Sequence, residues 1–240
     1  MIQQGYRCSI VIPAKNESAD IERILERINS EVNFPFECVV VVDSEEDTTL
    51  PILKNFMKKN VNFKVVFNRF HRGPSGALLT GISLAKSRIV VVTMADGSDD
   101  PSQISDLVLL VERGVAIACA SRYMAGGQAI GAPRFKGFLS KLCGKSLYIL
   151  RNAGTHDATN NFKAYDKDFL DSIKIESEHG FEMGLEIVAK AIRRKKPIAE
   201  IPTIWIERMS GETKFKLLKW LPKYLKWYAF AFYGKVSTLV

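Results

Sequence analysis

The 240-residue sequence lacks any run of the roughly 18 to 20 apolar residues that a bilayer-spanning helix needs. Before the first strand-like run, Met1 to Arg7 hold no apolar stretch typical of a secretory signal. Together these features predict a protein that does not cross a membrane and whose active site faces the cytosol.

Cysteine is scarce, and the four that occur form no C-x-x-C pair. They are Cys8, Cys38, Cys119 and Cys143, and the first three lie in apolar, strand-like runs. This pattern is typical of small buried hydrophobic residues in a reducing compartment. It argues against a disulfide framework and against a cysteine metal site.

Acidic residues are outnumbered: 34 Lys and Arg face 26 Asp and Glu, which gives a formal charge of +8. A basic surface favours an anionic partner, which is a nucleic acid, an anionic membrane or a phosphorylated substrate. Apolar residues make up 47% and charged residues 25% of the chain, so a single α/β domain with a sizeable core is expected.

Neither a P-loop nor a G-x-G-x-x-G signature is present. The segment Arg69–Gly81 (RFHRGPSGALLTG) has basic residues followed by glycines at a helix start, which is a weaker phosphate-binding pattern. After the first strand stands PAKNE rather than a glycine-rich turn, which argues against a nucleotidyltransferase. Acidic strand ends argue against a nucleic-acid backbone, so no nucleic-acid partner is expected.

Apolar β-branched runs alternate with amphipathic segments along the chain. The runs predict strands at Cys8–Pro13, Glu37–Val42, Phe63–Phe67, Arg88–Met94, Ala116–Ala120 and Ile198–Trp205. The amphipathic segments predict helices at Ser18–Ile28, Thr48–Lys59, Ser75–Lys86, Ile104–Glu112, Phe135–Leu150 and Gly180–Ile192. This alternation predicts an α/β fold with a Rossmann-like, mainly parallel sheet that is flanked by helices and binds ligands at the carboxyl ends of its strands.

Three carboxylates crowd the loop Met94–Pro101 (MADGSDDP) after a predicted strand. Oxygen ligands of this kind suit Mg²⁺ or Mn²⁺, with substrate phosphates completing the coordination. The alternative is turn and helix-cap chemistry. We expect Asp96 to be functional and Asp100 to be a cap, and the pattern leaves Asp99 open between the two.

Polar residues follow the other predicted strands. Asn16, Glu17 and Asp43 stand where a nucleobase or ribose would lie, whereas Asp47 is expected to be a turn or cap residue. The clusters around Arg122 and Arg208 supply cations for phosphates, with a solvated basic rim as the alternative.

The C-terminal segment Lys214–Lys235 alternates aromatic residues with lysines. Such a pattern suits a membrane interface. A helix docked on the core and an oligomer contact are the alternatives, and Pro222 is expected to kink or restart any helix there.

Eight sequence pieces occur in order from about Cys8 to Trp227: SIVIPAKNE, VVVVDSEEDTT, GPSGALLTGISLAKS, VVTMADGSDDP, ASRYMAGG, DATNNFKAY, GFEMGLEIVAKA and AEIPTIWIERMSGETKF. Together they resemble family 2 glycosyltransferases of the GT-A fold, especially the dolichyl-phosphate mannose synthase and polyprenyl-phosphate glycosyltransferase branch. The resemblance implies inverting transfer of mannose or glucose from a GDP- or UDP-sugar to a polyprenyl or dolichyl phosphate, with Mg²⁺ or Mn²⁺.

The resemblance also implies roles for particular residues. The donor nucleotide would contact Pro13, Ala14, Asn16, Glu17, Asp43, Gly76, Ala95 and Asp96. The acceptor or phosphate groups would contact Arg122, Arg134, Asp157, Asn160, Arg208 and Lys214. Catalysis is assigned to Asp96, Arg122 and Arg208, and the metal to Asp96, Ser98 and Asp99. The sequence departs from the family pattern at Met94, which replaces the first acid of the D-x-D motif.

We therefore expect a catalytic domain over residues 1–212 and an amphipathic helical tail over 213–240, peripheral on the cytosolic face of a membrane. If the acceptor is a sugar hydroxyl of a glycan or glycolipid, the reaction needs a base, for which Asp157, Glu182 and Glu186 are the candidates. A non-catalytic nucleotide-sugar-binding module is a further alternative, and a homo-oligomer is possible on sequence grounds.

Overall fold

The computed structural model of this protein describes residues 5–178, 180–207 and 217–233. Its strands are β1 Cys8–Pro13, β2 Phe36–Val42, β3 Phe63–Phe67, β4 Ile89–Val92, β5 Ile117–Ser121, β6 Gln128–Ile130, β7 Lys163–Asp166, β8 Ile198–Pro202 and β9 Ile204–Ile206. Its α-helices are α1 Ile21–Glu31, α2 Leu50–Met57, α3 Pro74–Leu84, α4 Ile104–Glu112, α5 Arg134–Arg151, α6 Lys167–Asp171, α7 Met183–Arg193 and α8 Leu217–Tyr233.

Seven strands form one sheet in the order β3-β2-β1-β4-β7-β5-β8. Every neighbouring pair is parallel except those of β7, which runs antiparallel to β4 and β5. The predicted mainly parallel, helix-flanked sheet is thus confirmed. Because the strand order reverses between β1 and β4, the loops after these strands diverge and leave a crevice at the carboxyl edge.

Helices cover both faces of the sheet, which explains why several of its strands are buried along their whole length. Every residue of β1, β2, β4 and β5 is buried. One hydrophobic cluster joins the sheet to α1, α2 and α4, and a second joins it to α3, α6 and α7. The buried cysteines Cys8, Cys38 and Cys119 are free thiols in these strands, as expected from the sequence.

The helix predicted to bury one face, α7, is buried all round from Met183 to Ile192. The amphipathic pattern alone does not indicate this complete burial, to which the packing of α8 against α7 contributes. Trp227 of α8 is buried, and the ammonium group of Lys190 lies 4.8 Å from the centre of its ring.

The aromatic rings of α8 turn mainly toward the protein. Tyr224, Trp227, Tyr228, Phe230 and Phe232 all belong to or pack against the second hydrophobic cluster. The helix continues through Pro222, so of the two expected effects, a kink or a restart, the restart does not occur. None of the helices in the described ranges is long and apolar enough to cross a lipid bilayer.

The last predicted strand is divided in two at Thr203. The Thr203 amide donates to Ser121 O, and the Thr203 carbonyl accepts from Gln128 N, so the chain leaves the sheet here. Beyond it, β9 pairs with β6 in a two-stranded parallel ribbon. The Ile206 amide of this ribbon donates to Ser98 O at 3.4 Å, which ties the ribbon to the loop after β4.

Gly144 lets α5 pack closely against the segment before β7. A Cβ atom at Gly144 would lie 2.0 Å from the His156 carbonyl oxygen, whereas one at Gly137 in the same helix would meet nothing nearer than 3.9 Å. We expect Gly144→Ala to lower the free energy of unfolding by about 1–3 kcal/mol. Gly137→Ala should raise it by about 0.5–1 kcal/mol, since alanine favours helix. Urea denaturation measures both, and equal effects would contradict this packing.

Candidate functional site

The loops after β1 and β2 are bonded to each other beside the crevice. The Asn16 amide donates to Asp47 Oδ1 at 3.0 Å, and the Glu17 amide donates to Thr49 Oγ1 at 2.9 Å. Asp47 Oδ1 also accepts from the Thr49 amide, so Asp47 has the turn role expected of it. Asn16 itself adopts a left-handed conformation with φ 55°. Of the predicted nucleoside residues here, Pro13 and Ala14 are buried.

Asp43 secures the start of α3. Its carboxylate accepts from the Gly73 amide at 3.2 Å and from Asn68 Nδ2 at 2.9 Å. The Gly73 amide at this helix start is therefore already engaged by Asp43. Gly76, a predicted donor residue, is buried, and a Cβ there would lie 1.8 Å from the His71 carbonyl oxygen. The structure thus gives Gly76 a packing role.

The three carboxylates after β4 have separate environments. Asp96 Oδ1 accepts from the amide and hydroxyl of Ser98, at 3.1 and 2.6 Å. Asp100 caps the short 3₁₀ turn that follows, accepting from Ser102 N, and pairs with Arg27. The predicted cap role of Asp100 is confirmed, and only Asp96 of the three lines the cavity described below.

Asp99 turns into the protein. Its Oδ2 atom accepts from Thr93 Oγ1 and from Met94 N, both at 3.0 Å, whereas Oδ1 is buried and has no hydrogen-bond partner among the described residues. Burial raises the pKa of Asp99 to about 7, and the neighbouring charge of Asp96 adds to the rise. Asp99 thus braces the end of β4 through Oδ2, and of the predicted metal residues Asp96, Ser98 and Asp99 only the first two line the cavity described below. No group of three His, Cys, Asp or Glu side chains suited to a metal occurs in the part of the chain that the structure describes.

Arg122, directly after β5, forms an ion pair with the fully buried Asp157. Arg122 Nε lies 2.7 Å from Oδ2 and Nη2 lies 3.0 Å from Oδ1, while the Arg122 amide also donates to Oδ2. Burial alone would raise the pKa of Asp157, but the Arg122 guanidinium overcomes this and holds that pKa below its ordinary value. The rings of Tyr123 and Trp205 lie 5.0 and 5.7 Å from the guanidinium carbon.

Hydroxyl and amide groups complete this cluster. Arg122 Nη2 also donates to Ser140 of α5 and to Thr159. Asn160 donates to the Ala120 carbonyl at 2.9 Å, and Asn161 donates to the Phe181 carbonyl at 3.2 Å. The predicted acceptor segment therefore contacts Arg122 through Asp157 and Thr159, and Asp157 acts as the partner of Arg122 rather than as a free base.

The other two candidate bases differ from each other. Glu186 is fully buried and accepts from the amides of Glu176 and Ser177 at 2.7 and 2.8 Å and from the Lys190 ammonium. These contacts make Glu186 a structural residue and overturn its candidacy as a base. Glu182 is also buried, but its Oε2 atom has no hydrogen-bond partner among the described residues.

A cavity of about 370 Å³ extends from the Arg122 cluster into an apolar channel between α5 and α8. Its polar end is formed by Asp96, Ser98, Arg122, Lys136, Ser140, Thr159, Asn160, Asn161 and Glu207. Its largely apolar walls include Tyr123, Leu139, Leu142, Cys143, Phe181, Trp205, Leu221, Tyr224, Leu225 and Tyr228.

The predicted cationic cluster around Arg122 supplies Arg122 and Lys136 to this cavity, whereas the apolar walls were not predicted. Arg134, predicted to bind phosphate, is exposed and does not line the cavity, whereas Lys136 does. Burial lowers the pKa of Lys136, and the Glu207 carboxylate partly opposes this. Arg208 and Lys214 lie outside the described residues. The α5 and α8 walls were missed because their apolar periodicity predicts only a helix face, without saying what it covers.

Comparison with known proteins agrees with the predicted family. The model of Glycosyl transferase family 2 matches residues 9–174. A dolichol-phosphate mannosyltransferase of Pyrococcus furiosus is 27% identical over 231 residues, which are 92% of this chain and 64% of that protein. A polyprenol monophosphomannose synthase of Mycolicibacterium smegmatis is 28% identical over 235 residues, 91% of this chain and 88% of that protein. The chain thus spans just under two thirds of the first relative.

Solved structures share the fold. Glucosyl-3-phosphoglycerate synthase from Mycobacterium tuberculosis, in complex with Mn²⁺, UDP-glucose and phosphoglyceric acid, has a TM-score of 0.70 and 19% identity, covering 95% of this chain and 80% of that one. The same enzyme in complex with Mg²⁺ and UDP has a TM-score of 0.67 and 20% identity, covering 93% and 76%. Because the family match extends from β1 to the residues after α6, more than half of the chain, this protein belongs to glycosyltransferase family 2.

Proposed function

We propose that this glycosyltransferase moves a hexose, with mannose as the first candidate, from a nucleoside-diphosphate sugar to a polyprenyl phosphate. The observation that carries the proposal is the cavity, because one end is polar and contains Arg122 and Lys136, whereas the other end is apolar. An acceptor with a phosphate head and a hydrocarbon chain matches both ends. The names of the two sequence relatives support the same acceptor class and the same sugar.

The donor side rests on Asp96 and the crevice between β1 and β4. Mg²⁺ and Mn²⁺ are commonly held by one or two carboxylates while substrate phosphates supply the other oxygens. Because Met94 replaces the first acid of the D-x-D motif, Asp96 is the remaining acid of that motif, and it fits an ion that is held mainly by the donor diphosphate. Ser98 orients the Asp96 carboxylate. Such an ion, when bound, stabilises the charge of the departing nucleoside diphosphate. The nucleoside itself would lie against the loops that hold Asn16, Glu17 and Asp43.

The acceptor side rests on Arg122 and Lys136. Asp157 engages Nε and Nη2 of Arg122 and so fixes the plane of the guanidinium at the polar end of the cavity. An acceptor phosphate is already ionised, so its oxygen can attack the anomeric carbon without a general base. A new carbon–oxygen bond forms as the bond to the diphosphate breaks, with inversion at that carbon. The occupied carboxylates Asp157 and Glu186 are consistent with a reaction that needs no base.

A sugar hydroxyl acceptor is the second candidate, and Glu182 favours it. This carboxylate is buried next to the cavity-lining Phe181 and has one oxygen without a partner among the described residues. A hydroxyl nucleophile needs a base, and Glu182 is the one candidate of the three with a buried carboxylate oxygen that lacks a hydrogen-bond partner among the described residues. The apolar walls of the cavity are not required by such an acceptor, which is why we rank it second.

We further propose that the protein works at the cytosolic face of a membrane, where a polyprenyl phosphate resides. The division at residue 212 into catalytic domain and tail stays a prediction, since residues 208–216 lie outside the described ranges.

The reaction is tested by incubating the protein with GDP-mannose or UDP-glucose, with Mn²⁺ or Mg²⁺, and with or without a polyprenyl phosphate. We expect metal-dependent release of nucleoside diphosphate that the lipid phosphate stimulates. Asp96→Asn should lower this rate on the order of a hundredfold, because it removes the charge that holds the ion and diphosphate. Asp106→Asn, an exposed change on α4, serves as the matched control.

If the release of nucleoside diphosphate is not stimulated by the lipid phosphate, requires a sugar acceptor and is abolished by Glu182→Gln, the second candidate replaces the proposal. Donor binding without turnover for any acceptor would favour a non-catalytic module.

The Arg122–Asp157 pair generates a second prediction. Arg122→Lys keeps the charge but cannot make the two-pronged contact, so we expect kcat/KM for the lipid phosphate to fall on the order of a hundredfold while the donor KM changes little. Asp157→Ala should also lower the free energy of unfolding by about 3–5 kcal/mol, because it leaves a buried cation unpaired. Arg134→Lys is the control, and an equal kinetic loss there would support the phosphate role predicted for Arg134 from the sequence.

The size of the cavity generates a third prediction. Its 370 Å³ is near the lower end of the roughly 300–1,000 Å³ typical of ligand pockets, so it encloses only the phosphate-proximal part of a long polyprenyl chain. Cys143→Trp fills the apolar end, and we expect it to raise KM for a prenyl phosphate by about tenfold or more with the donor KM unchanged. Leu150→Trp, which changes an exposed residue of the same helix that does not line the cavity, is the control. An unchanged acceptor KM in Cys143→Trp would show that the chain binds elsewhere.

A further inference from the structure

The outward side of α5 carries an apolar stripe that no described part of the protein covers. Phe135, Phe138, Leu142 and Ile149 are 64%, 61%, 54% and 66% exposed. Their spacings of three, four and seven residues place them on one side of the helix. We name these four residues the α5 stripe. Contiguous exposed apolar side chains of this size mark an interaction surface rather than ordinary solvent-facing residues.

The charge of α5 is of one sign. Between Arg134 and Arg151 the helix contains five Lys and Arg residues and no Asp or Glu. Helical geometry sets Arg134, Lys141 and Lys145 along one flank of the α5 stripe, because they too are separated by seven and four residues. All three are exposed. A cationic flank beside an apolar stripe is the pattern of a helix that lies in the interface of an anionic bilayer.

The opposite flank of the α5 stripe faces the cavity. Leu139, Cys143 and Ser146, which line the cavity, lie on that side of the helix. Leu142 belongs to the stripe and also lines the cavity, as does Leu225 of α8, which is 54% exposed. The mouth between α5 and α8 therefore opens beside the stripe. A hydrocarbon chain can pass between a surface held at the stripe and the cavity without crossing water.

We propose that the α5 stripe, with its basic flank, is the surface by which this protein rests on an anionic lipid bilayer. This identifies the partner of the proposed reaction and in that respect rests on the proposed function. It moves the membrane contact from the C-terminal aromatic rings, most of which pack inward, to α5. A second copy of the chain is disfavoured as the occupant, because a symmetric contact would set the cations of two such helices against each other without an acidic partner in either.

The proposal is tested by flotation with vesicles of phosphatidylcholine alone or with phosphatidylglycerol, in the absence of donor and acceptor. The Phe138→Ser and Ile149→Ser double variant changes two residues of the stripe that do not line the cavity. We expect its partition onto the anionic vesicles to fall about tenfold or more, since two large side chains no longer enter the interface.

Lys141→Glu with Lys145→Glu should remove the preference for anionic vesicles. Leu109→Ser, which changes an exposed leucine of α4, is the matched control and should bind as wild type does.

Thermal melting establishes that each variant is folded. Undiminished vesicle binding by the folded double variant would overturn the proposal, and so would a wild-type dimer in solution that this variant dissociates. The transfer reaction is measured separately from vesicle binding, with a short prenyl phosphate as acceptor in detergent-free solution. The double variant should retain it while losing about tenfold or more of its transfer to a long-chain acceptor embedded in vesicles. Failure of all transfer in the wild type would refute the proposed function and leave the vesicle result standing.

Discussion

The ion pair between Arg122 and Asp157 is the interaction on which the geometry of the site depends. It joins the end of β5 to the segment before β7, and the same guanidinium contacts Ser140 of α5. Taking two charges out of water is costly, and here the cost is met by a two-pronged contact and by further hydrogen bonds to Arg122 and Asp157. Arg122 therefore holds β5, the segment before β7 and helix α5 in fixed positions relative to one another.

A second buried pair sets the other wall of the cavity. Glu186 and Lys190 lie on α7, and the ammonium group of Lys190 faces the ring of Trp227. This contact holds α8 against α7, and α8 in turn supplies Leu221, Tyr224 and Leu225 to the cavity. A segment whose composition suggests a membrane tail thus contributes first to packing. The aromatic residues of α8 suit either a membrane interface or the protein core, and the packing of α8 against α7 places most of them in the core.

The sequence predicted the doubly wound part of the fold well, because continuous apolar strands such as β1 and β2 have one physical explanation, which is burial on both faces. It predicted β7 poorly, since Lys163 and Asp166 interrupt the apolar pattern and a short antiparallel insertion leaves no periodic signal. The pairing of Arg122 with Asp157 was out of reach, because 35 positions separate them and their contact depends on the order of β5 and β7 in the sheet. The sequence shows Met94 as a departure from the D-x-D motif of the family. It does not show that the Asp99 side chain turns inward, because that orientation depends on the backbone at the end of β4.

The position of the cavity follows from these constraints taken together. The reversal between β1 and β4 puts Asp96 at the crevice, and the Arg122–Asp157 pair fixes a cation nearby. Helix α5 lines the same cavity, and its Ser140 accepts a hydrogen bond from that cation. Because α5 must contact the polar cluster with one side, its remaining sides carry the lysines, the apolar lining and the exposed stripe. A single helix therefore presents the polar end of the cavity, its apolar wall and the exposed stripe in adjoining arcs, which is the arrangement that the proposed amphiphilic acceptor would require.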